Sequence, residues 1–230
     1  MVELLEGIAT TRAIRRFTAD PIPDDDLATM LWHATRAPSG SNRQPFRFVV
    51  LRDSEVAMQA KRLLGDSCRA FWSEKRIADG YTAGSGVDAT SPKARMARTM
   101  QHFVDHFEDT PVVVLPCIKR YRQADPTEGA SVYPACQNLL LAARALGYGG
   151  VMTIWHAFAE SQLRQLLSIP DDVGIAATIA LGRPQGGHGP VRRRPLNELV
   201  YEDSWDTAPS WAVDPEGTRF TSSGPPGEDR

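Results

Sequence analysis

The stretch TPVVVLPCIK, residues 110–119, contains the longest apolar run of the chain and predicts a buried β-strand. The run PVVVLPCI has eight residues. That is the length of a strand, and it is far below the roughly 18 residues that a membrane-spanning helix needs. Similar stretches predict three further strands: FRFVVLRD (46–53), GGVMTIW (149–155) and GIAATIALG (174–182).

Helical spacing of apolar residues surrounds these strands. The clearest case is PIPDDDLATMLWHATRAPS, in which acidic residues fill the first turn and Leu27, Met30, Leu31 and Ala34 form one stripe. Other helices are predicted over residues 2–8, 55–75, 93–107, 132–146 and 160–167. We therefore expect one α+β domain over residues 1–205. Residues 206–230 lack periodicity and are expected to be an extension, partly flexible or packed on a partner subunit.

The composition is that of an ordinary globular protein. The 230 residues are 42% hydrophobic and 23% charged, with a net charge of −2, which argues against a nucleic-acid-binding function. The N-terminus has acidic residues where a signal peptide needs basic ones, so a cytoplasmic protein without a membrane segment is expected. Three widely spaced cysteines, an odd number, favour reduced thiols buried by packing over a disulfide framework.

Two arginine clusters stand out against this balanced charge. The stretch TTRAIRRFTADPIPDDD (10–26) holds Arg12, Arg15 and Arg16, and GPVRRRPLNELVYED (189–203) holds a second triplet, Arg192–Arg194. Like charges placed close together repel each other. Each cluster therefore requires solvent, an acidic neighbour or an anionic ligand.

The segment APSGSNRQPF (37–46) connects a predicted helix to a predicted strand and is rich in polar side chains. Such a connection requires Pro and Gly, but it does not require Asn42 and Gln44 together. Amide groups both donate and accept hydrogen bonds, which suits the edge of a heterocycle or the hydroxyls of a sugar. An ordinary loop and a ligand-binding turn both remain open at this point.

Several familiar site patterns are excluded. His102 and His106 are spaced i, i+4, but the zinc-peptidase pattern fails because Phe103 follows the first histidine, so a solvated or partly buried pair is expected and no metal site. GYGGVM (147–152) lacks the third glycine of a dinucleotide turn and follows a helix. The chain contains neither a G-x-S-x-G elbow nor a P-loop, and no catalytic side chain is predicted.

The order of the blocks resembles the FMN-dependent nitroreductase family over residues 10–205, in particular its actinobacterial branch. The blocks are Arg-x-x-Arg-x-Phe (12–17), APSGSNRQPF, GGVMTIW, IPDDVGIAATIALGRP (169–184) and GPVRRRPLNELVYED. The resemblance implies an α+β fold with a central mixed sheet flanked by helices, in an intertwined homodimer with shared flavin sites.

The resemblance also implies which residues bind FMN. Arg12, Arg15 and Arg193 would meet the phosphate and ribityl chain, where a guanidinium forms charge-assisted bonds. The site also includes Ala13, where the family usually has Ser; a basic residue is often found where Val191 stands. Further contacts are implied for Pro38, Ser39, Asn42 and Gln44, from the other subunit, and for Met152 and Thr153, along the isoalloxazine. Arg16 and Arg194 are expected to be solvated or salt-bridged, and Arg192 is left open.

The implied chemistry is ping-pong transfer of a hydride from NAD(P)H through FMN N5 to an electron-poor small molecule, such as a nitroaromatic or a quinone. The flavin carries this reaction, which agrees with the absence of a predicted catalytic side chain. Two alternatives remain: a flavin-binding or storage protein without turnover, and another flavin-dependent dehydrogenase, oxidase or dehalogenase on the same fold.

Overall fold

A computed structural model describes residues 2–220 of the chain. It divides into two compact units, Met1–His188 and Gly189–Arg230. The first unit contains six helices and five strands among the described residues. The helices are α1 Leu4–Thr10, α2 Asp24–Ala34, α3 Glu55–Ala78, α4 Pro92–Asp105, α5 Tyr133–Ala145 and α6 Glu160–Leu167. The strands are β1 Phe46–Leu51, β2 Val112–Lys119, β3 Gly149–Thr153, β4 Val173–Ile175 and β5 Thr178–Gly182.

The apolar run at 110–119 forms β2, the strand with the most partners. Strand β1 pairs along its whole length, from Phe46 opposite Ile118 to Leu51 opposite Val113. On the other side β2 pairs with β5 and β4, and β5 pairs with β3. The α+β fold is confirmed. All pairings between the strands of the described chain are antiparallel, however, where the resemblance implied a mixed sheet.

The predicted strand over 174–182 is two strands, because a β-bulge interrupts it. Between its pairs with β5 and β4, strand β2 advances three residues, from Val114 to Cys117, while the opposite chain advances four, from Ile175 to Ile179. One extra residue therefore has no partner in the ladder. The bulge lies opposite Pro116, which has no N–H to donate and only accepts, from the Ala176 N–H at 2.8 Å.

Helices cover both faces of the sheet, which explains why β2 is apolar throughout. Val113 and Leu115 point into one core together with Leu64 of α3 and Leu163 of α6. The alternate residue Val114 points into a second core, which contains side chains of α2 and α5: Met30, Leu139 and Ala143. Successive strand residues face opposite sides. A strand buried on both sides needs an apolar residue at every position.

Local signals fix where the two long helices begin. The Ser54 hydroxyl accepts from the Ala57 N–H at the start of α3, and the Ser91 hydroxyl accepts from the Ala94 N–H at the start of α4. Each bond satisfies an N–H that the helix leaves unpaired, and Pro92 fits the first turn of α4 because it has no N–H. Both helices end within three residues of the predicted limits.

The cysteines are buried and free, as predicted: Cys68, Cys117 and Cys136. Burial raises the pKa of the Cys117 thiol to about 11 and that of Cys136 to about 12. These thiols are therefore protonated packing groups at neutral pH.

The second unit has little regular structure between Gly189 and Phe220. It contains one 3₁₀ turn, Leu196–Glu198, whose first N–H donates to the Asp214 carboxylate at 2.9 Å. The predicted domain limit at residue 205 falls inside this unit and stays a prediction. No helix within residues 2–220 has the length and apolarity needed to cross a membrane.

Candidate flavin site

The first arginine cluster lies on an extended segment, residues 12–18, that is fixed to the edge of the sheet. The Ile14 N–H donates to the Gly150 carbonyl at 2.9 Å, and the Thr18 N–H donates to the Arg183 carbonyl at 2.9 Å. These bonds attach the segment to the start of β3 and to the chain just after β5. Three blocks of the sequence pattern therefore lie together: residues 12–17, 149–155 and 169–184.

Packing of Ile14, which lies between Arg12 and Arg15, holds the segment in one position. Ile14 is buried and lies against Gly149, where a Cβ atom would be 2.6 Å from Ile14 Cγ1. Glycine is required at this position because the side chain of Ile14 fills the space that a larger residue would use. Arg12 and Ala13 on one side of Ile14 are exposed, whereas Arg15 on the other side is half-buried.

Arg12 and Arg15 differ in how their guanidinium groups are satisfied. Arg12 Nη2 donates to the Gly187 carbonyl at 2.8 Å. Within residues 2–220 the Arg15 side chain has no hydrogen bond or ion pair, and its one electrostatic neighbour is Tyr81. Burial lowers the pKa of Arg15, and this effect outweighs the opposite effect of Tyr81. A half-buried cation without an acceptor is suited to an anionic ligand.

Arg15 also lines a cavity of about 420 Å³ between the arginine segment and the end of α4. His102 and His106 lie on the opposite wall, with ring centroids 4.5 Å apart. Desolvation lowers the pKa of His102, and the charges of Arg16 and His106 lower it further. The lining of the cavity thus combines two arginines and two histidines with one carboxylate, Asp109.

The turn at 38–44 has an unusual backbone. Ser41, Asn42 and Gln44 have φ values of 51°, 52° and 50°, in the left-handed region that side chains other than glycine seldom adopt. Such strain persists only where the surroundings impose it, and it concentrates at ligand-binding sites.

Hydrogen bonds hold this turn in place. The Ser39 hydroxyl accepts from the Gln44 N–H at 2.9 Å, and Gln44 Nε2 donates to Asn42 Oδ1 at 3.2 Å. The Gly40 N–H donates to the hydroxyl of Ser131, just before α5, at 3.2 Å. Asn42 and Gln44 remain exposed, as does Pro38, so their other polar atoms face outward.

The arginine segment and the turn lie at opposite ends of β2. The segment bonds to Gly150, which pairs with Leu181, and Leu181 pairs with Val112 at the start of β2. The turn ends at Pro45, whose carbonyl accepts from the Lys119 N–H at the end of β2. Seven residues of strand at roughly 3.3 Å each separate the two ends by about 23 Å.

Met152 and Thr153 line a smaller, mostly apolar pocket of about 140 Å³ beside the bulge. Tyr133 at the start of α5 closes this pocket, and its hydroxyl donates to the Ala176 carbonyl at 3.4 Å. Met152 and its neighbour Ile154 are 45% and 59% exposed, which is unusual for side chains at the end of a core strand. The pocket and its rim form a flat apolar surface.

The model of the family described as "Nitroreductase family" matches residues 8–183. The chain belongs to the nitroreductase family. One relative is an Archaeoglobus fulgidus protein assigned as an NADH dehydrogenase/NAD(P)H nitroreductase, 29% identical over 80% of this chain and 87% of its own. Another is an iodotyrosine deiodinase of Thermotoga neapolitana, 26% identical over 86% of this chain and 97% of its own.

A solved structure of a protein assigned as a nitroreductase, in complex with FMN, comes from Desulfovibrio desulfuricans. It is 25% identical to this chain, with a TM-score of 0.62, and the match covers 89% of this chain and 99% of that one. The resemblance noted in the sequence is therefore confirmed at the level of the nitroreductase family and fold.

Arg193 and its neighbours belong to the second unit, where Arg193 Nη1 donates to the Arg192 carbonyl at 2.8 Å. The role of Arg193 in binding FMN stays a prediction. Arg194 lies 3.9 Å from Glu198, which agrees with the salt-bridged role expected for it.

Sequence reasoning did not place these side chains together in a cavity. Arg16 and His106 are exposed and His102 is partly buried, as predicted, and the structure adds that all three line the cavity beside Arg15. The i, i+4 histidine spacing was the available signal, but nothing in the sequence placed it near the arginines. Among residues 2–220 no group of three or more His, Cys, Asp or Glu could hold a metal ion.

Proposed function

We propose that this chain is a cytoplasmic FMN-dependent oxidoreductase that takes a hydride from NAD(P)H and passes it to an electron-poor small molecule such as a nitroaromatic or a quinone. The observation that carries the proposal is Arg15, a half-buried guanidinium that has no acceptor within residues 2–220. Membership of the nitroreductase family and the FMN complex of the Desulfovibrio desulfuricans protein support it.

The residues present fit a flavin. Arg12 and Arg15 offer guanidinium groups to the phosphate and ribityl chain, and the apolar surface at Met152 and Thr153 suits the ring. FMN, when bound, supplies the atom N5 that accepts and releases the hydride. Arg15 would stabilise negative charge on the edge of the bound ring, and the exposed apolar side chains would exclude water. Donor and acceptor use the same surface in turn, which makes the reaction ping-pong.

The pocket is completed by a second copy of the chain. The turn carrying Asn42 and Gln44 lies about 23 Å along β2 from the arginine segment, at 3.3 Å per strand residue. In a two-fold symmetric dimer the turn of one subunit approaches the arginine segment of the other. The exposed side chains Met152, Ile154 and Phe158 then become buried between subunits.

A hybrid dimer tests this arrangement. Asn42→Ala and Arg15→Ala, each made alone, impair both pockets of a homodimer. When the two variants are co-expressed with different tags, one pocket of the hybrid carries both defects and the other carries neither. Flavin-dependent activity should recover to about half that of the unmodified protein. If both residues served a pocket within one chain, the hybrid would show no recovery.

The reaction itself is tested with the purified protein under anaerobic conditions. The protein should be yellow, NADH or NADPH should bleach it, and a nitroaromatic or a quinone should restore the colour. Yellow protein that neither nucleotide bleaches would favour a flavin-storage function. Protein that binds no flavin at all would exclude the proposal.

Reductive dehalogenation is a second candidate. The deiodinase of Thermotoga neapolitana matches this chain over 97% of its own length, so the two chains share the whole domain. Transfer of electrons to a halogenated phenol would use the same flavin surface. Measuring halide release from an iodophenol beside the reduction of a nitroaromatic, at equal flavin content, decides between the two acceptors.

A further inference from the structure

The cavity beside Arg15 contains more positive charge than flavin binding by Arg12 and Arg15 requires. Arg16, His102 and His106 line it as well, together with residues 17–19. The volume of about 420 Å³ exceeds the roughly 30 Å³ of one water many times. It therefore has room for an ionic group together with its hydration.

Acidic residues neutralise only part of this charge. Asp109 is the carboxylate that lines the cavity, and its Oδ2 already contacts His106 Nδ1 at 3.0 Å. Asp105 acts on His102 from α4. Lys61, which contacts the wall residue Thr110, is 3% exposed, and its amine donates to the Thr110 carbonyl at 2.6 Å. Burial lowers the pKa of Lys61, and the negative charges of Asp53 and Asp109 oppose this without reversing it.

The cavity wall also contains a buried hydroxyl without a partner. Thr110 is 2% exposed and lines the cavity, and within the described chain its Oγ1 makes no hydrogen bond. Leaving a buried hydroxyl unpaired destabilises a fold, so each such group calls for an explanation. The hydroxyl has almost no accessible surface as it stands, and a small rotation of the side chain toward the cavity would let an oxygen atom of a bound ligand act as the missing acceptor.

We propose that this cavity binds an oxyanion, a phosphate or a carboxylate, carried by a compound that exchanges electrons with the flavin. Arg16 and His102 provide the charge, and the Thr110 hydroxyl provides a neutral donor. The inference extends the proposed function and rests on it, since it assigns the ionic part of the nucleotide or of the acceptor to a cavity beside the flavin site.

Binding depends on pH. Desolvation, Arg16 and His106 all favour the neutral form of His102, whereas Asp105 and Asp109 favour the protonated form, and the net effect is a lowered pKa. An oxyanion favours the protonated imidazole and raises that pKa. By linkage, the affinity for the oxyanion increases as the pH falls through this range and His102 becomes protonated.

The test uses inorganic phosphate and the FMN-loaded protein, observed through the imidazole proton signals in NMR. Phosphate should shift the signals of His102 and His106 and raise the pKa of His102 by about 0.5 unit or more. His33 on α2 and His156 in the core serve as internal references that should not move. Phosphate that moves none of these signals overturns the proposal.

A comparison with flavin-free protein separates this site from the flavin site. If phosphate moves the His102 signal only when FMN is absent, the cavity belongs to the flavin phosphate and the proposal is overturned. If the protein takes up no FMN, the proposed function fails, while the phosphate titration still reports on the cavity. The two failures are therefore distinguishable.

Three variants check the residues. Arg16→Gln should weaken phosphate binding roughly 10-fold, whereas Arg62→Gln, on the exposed face of α3, should not change it. Thr110→Val should weaken binding without lowering the melting temperature, because it removes a hydroxyl that has no partner. Equal losses for Arg16→Gln and Arg62→Gln, or phosphate binding unchanged by Thr110→Val, would contradict the assignment.

The source of the oxyanion is identified with four compounds in the same assay. NADP⁺ competing with phosphate more strongly than NAD⁺ would identify the nucleotide 2′-phosphate. 4-Nitrobenzoate competing where nitrobenzene does not would identify the carboxylate of an acceptor. Failure of all four to compete would show that no electron-exchanging compound uses the cavity, and would overturn the proposal.

Discussion

Half-buried arginines in this chain differ in whether the fold supplies hydrogen-bond acceptors for their guanidinium groups. Arg69 on α3 donates to Glu108 at 2.7 Å and to the Val104 carbonyl at 2.9 Å, and Arg120 binds Glu128 with two bonds of 2.9 and 2.7 Å. Arg15, on the segment beside β3, has no such acceptor within residues 2–220. The difference separates arginines that stabilise the fold from one that is available to a ligand.

The pKa directions follow the same division. The hydrogen bond to Glu128 raises the pKa of Arg120, because the charged form is stabilised. Burial lowers the pKa of Arg15, because its charge is desolvated without a counterion. Groups whose pKa is shifted by burial are concentrated at functional sites, where the charge binds a ligand. At Arg15 a flavin phosphate or the edge of the flavin ring would supply the missing partner.

The largest effect is expected for Arg15→Ala. Loss of one charge-assisted contact should weaken FMN binding by about 1.5–3 kcal/mol, roughly 10- to 150-fold. The melting temperature of the flavin-free protein should stay the same or rise, because a desolvated charge is removed. Flavin fluorescence titration and thermal melts measure both, with the exposed surface residue Arg62→Ala as control. An unchanged flavin affinity would mean that Arg15 does not contact the cofactor.

Arg69→Ala should lower stability and leave flavin affinity nearly unchanged, the opposite of Arg15→Ala. The change leaves Glu108 unpaired, with 21% of its side chain exposed, and should lower the free energy of unfolding by about 1–3 kcal/mol. The flavin affinity of the folded protein should stay within about twofold, since Arg69 lines neither the cavity beside Arg15 nor the apolar pocket at Met152. Urea unfolding and flavin titration on the same sample check the two values. Loss of flavin affinity without loss of stability would mean that Arg69 serves the flavin site and does not stabilise the fold.

Much of the fold could be predicted because its elements carry local signals. Apolar periodicity located the helices, and α6 was predicted with its observed limits. The break between β4 and β5 was missed because a bulge depends on the strand opposite. The bulge lies opposite Pro116, about 60 residues earlier in the chain, and no residue between Gly174 and Gly182 indicates it.

The site could be predicted in part for the same reason. Arg12, Arg15 and the turn at 38–44 sit in short patterns of their own, whereas the cavity joins Arg16 to His102 across 86 residues. Contact between the two segments in the folded chain brings these together: the rings of Phe17 and Phe103, next to Arg16 and His102, have centroids 6.4 Å apart. For Arg193 the situation is the opposite, because its sequence pattern is clear while its role in binding FMN stays a prediction.

A smaller effect is expected for Gly149→Ala, which moves the arginine segment without removing a charge. The added methyl would lie 2.6 Å from Ile14 Cγ1, so Ile14 must shift and Arg15 shifts with it. We expect FMN binding to weaken about threefold to tenfold and stability to fall by about 1 kcal/mol. Gly187→Ala, where an added Cβ meets nothing within 4 Å, is the control. Similar results for both variants would show that the position of the segment is not set by this contact.

The smallest expected effect extends the comparison to histidines, since His102 lines the cavity while His156 is packed in the core. His156 is 5% exposed, its Nδ1 lies 3.3 Å from the Thr178 hydroxyl, and burial lowers its pKa. The unfolded chain therefore binds more protons than the folded one at pH values just below the ordinary histidine pKa, so stability falls as the pH drops. Between pH 7.5 and 5.5 the loss attributable to His156 should be about 1 kcal/mol.

Urea unfolding of the flavin-free protein at several pH values measures this slope, and His156→Gln should flatten it even if the variant is less stable throughout. His102→Gln should remove a smaller part, because His102 is only partly buried and can meet water in the cavity. Added phosphate sharpens the contrast: it should reduce the acid sensitivity that His102 contributes, by binding the folded protein once that imidazole is protonated, and leave the contribution of His156 unchanged. A slope that His156→Gln does not alter would place the acid-sensitive group elsewhere in the chain.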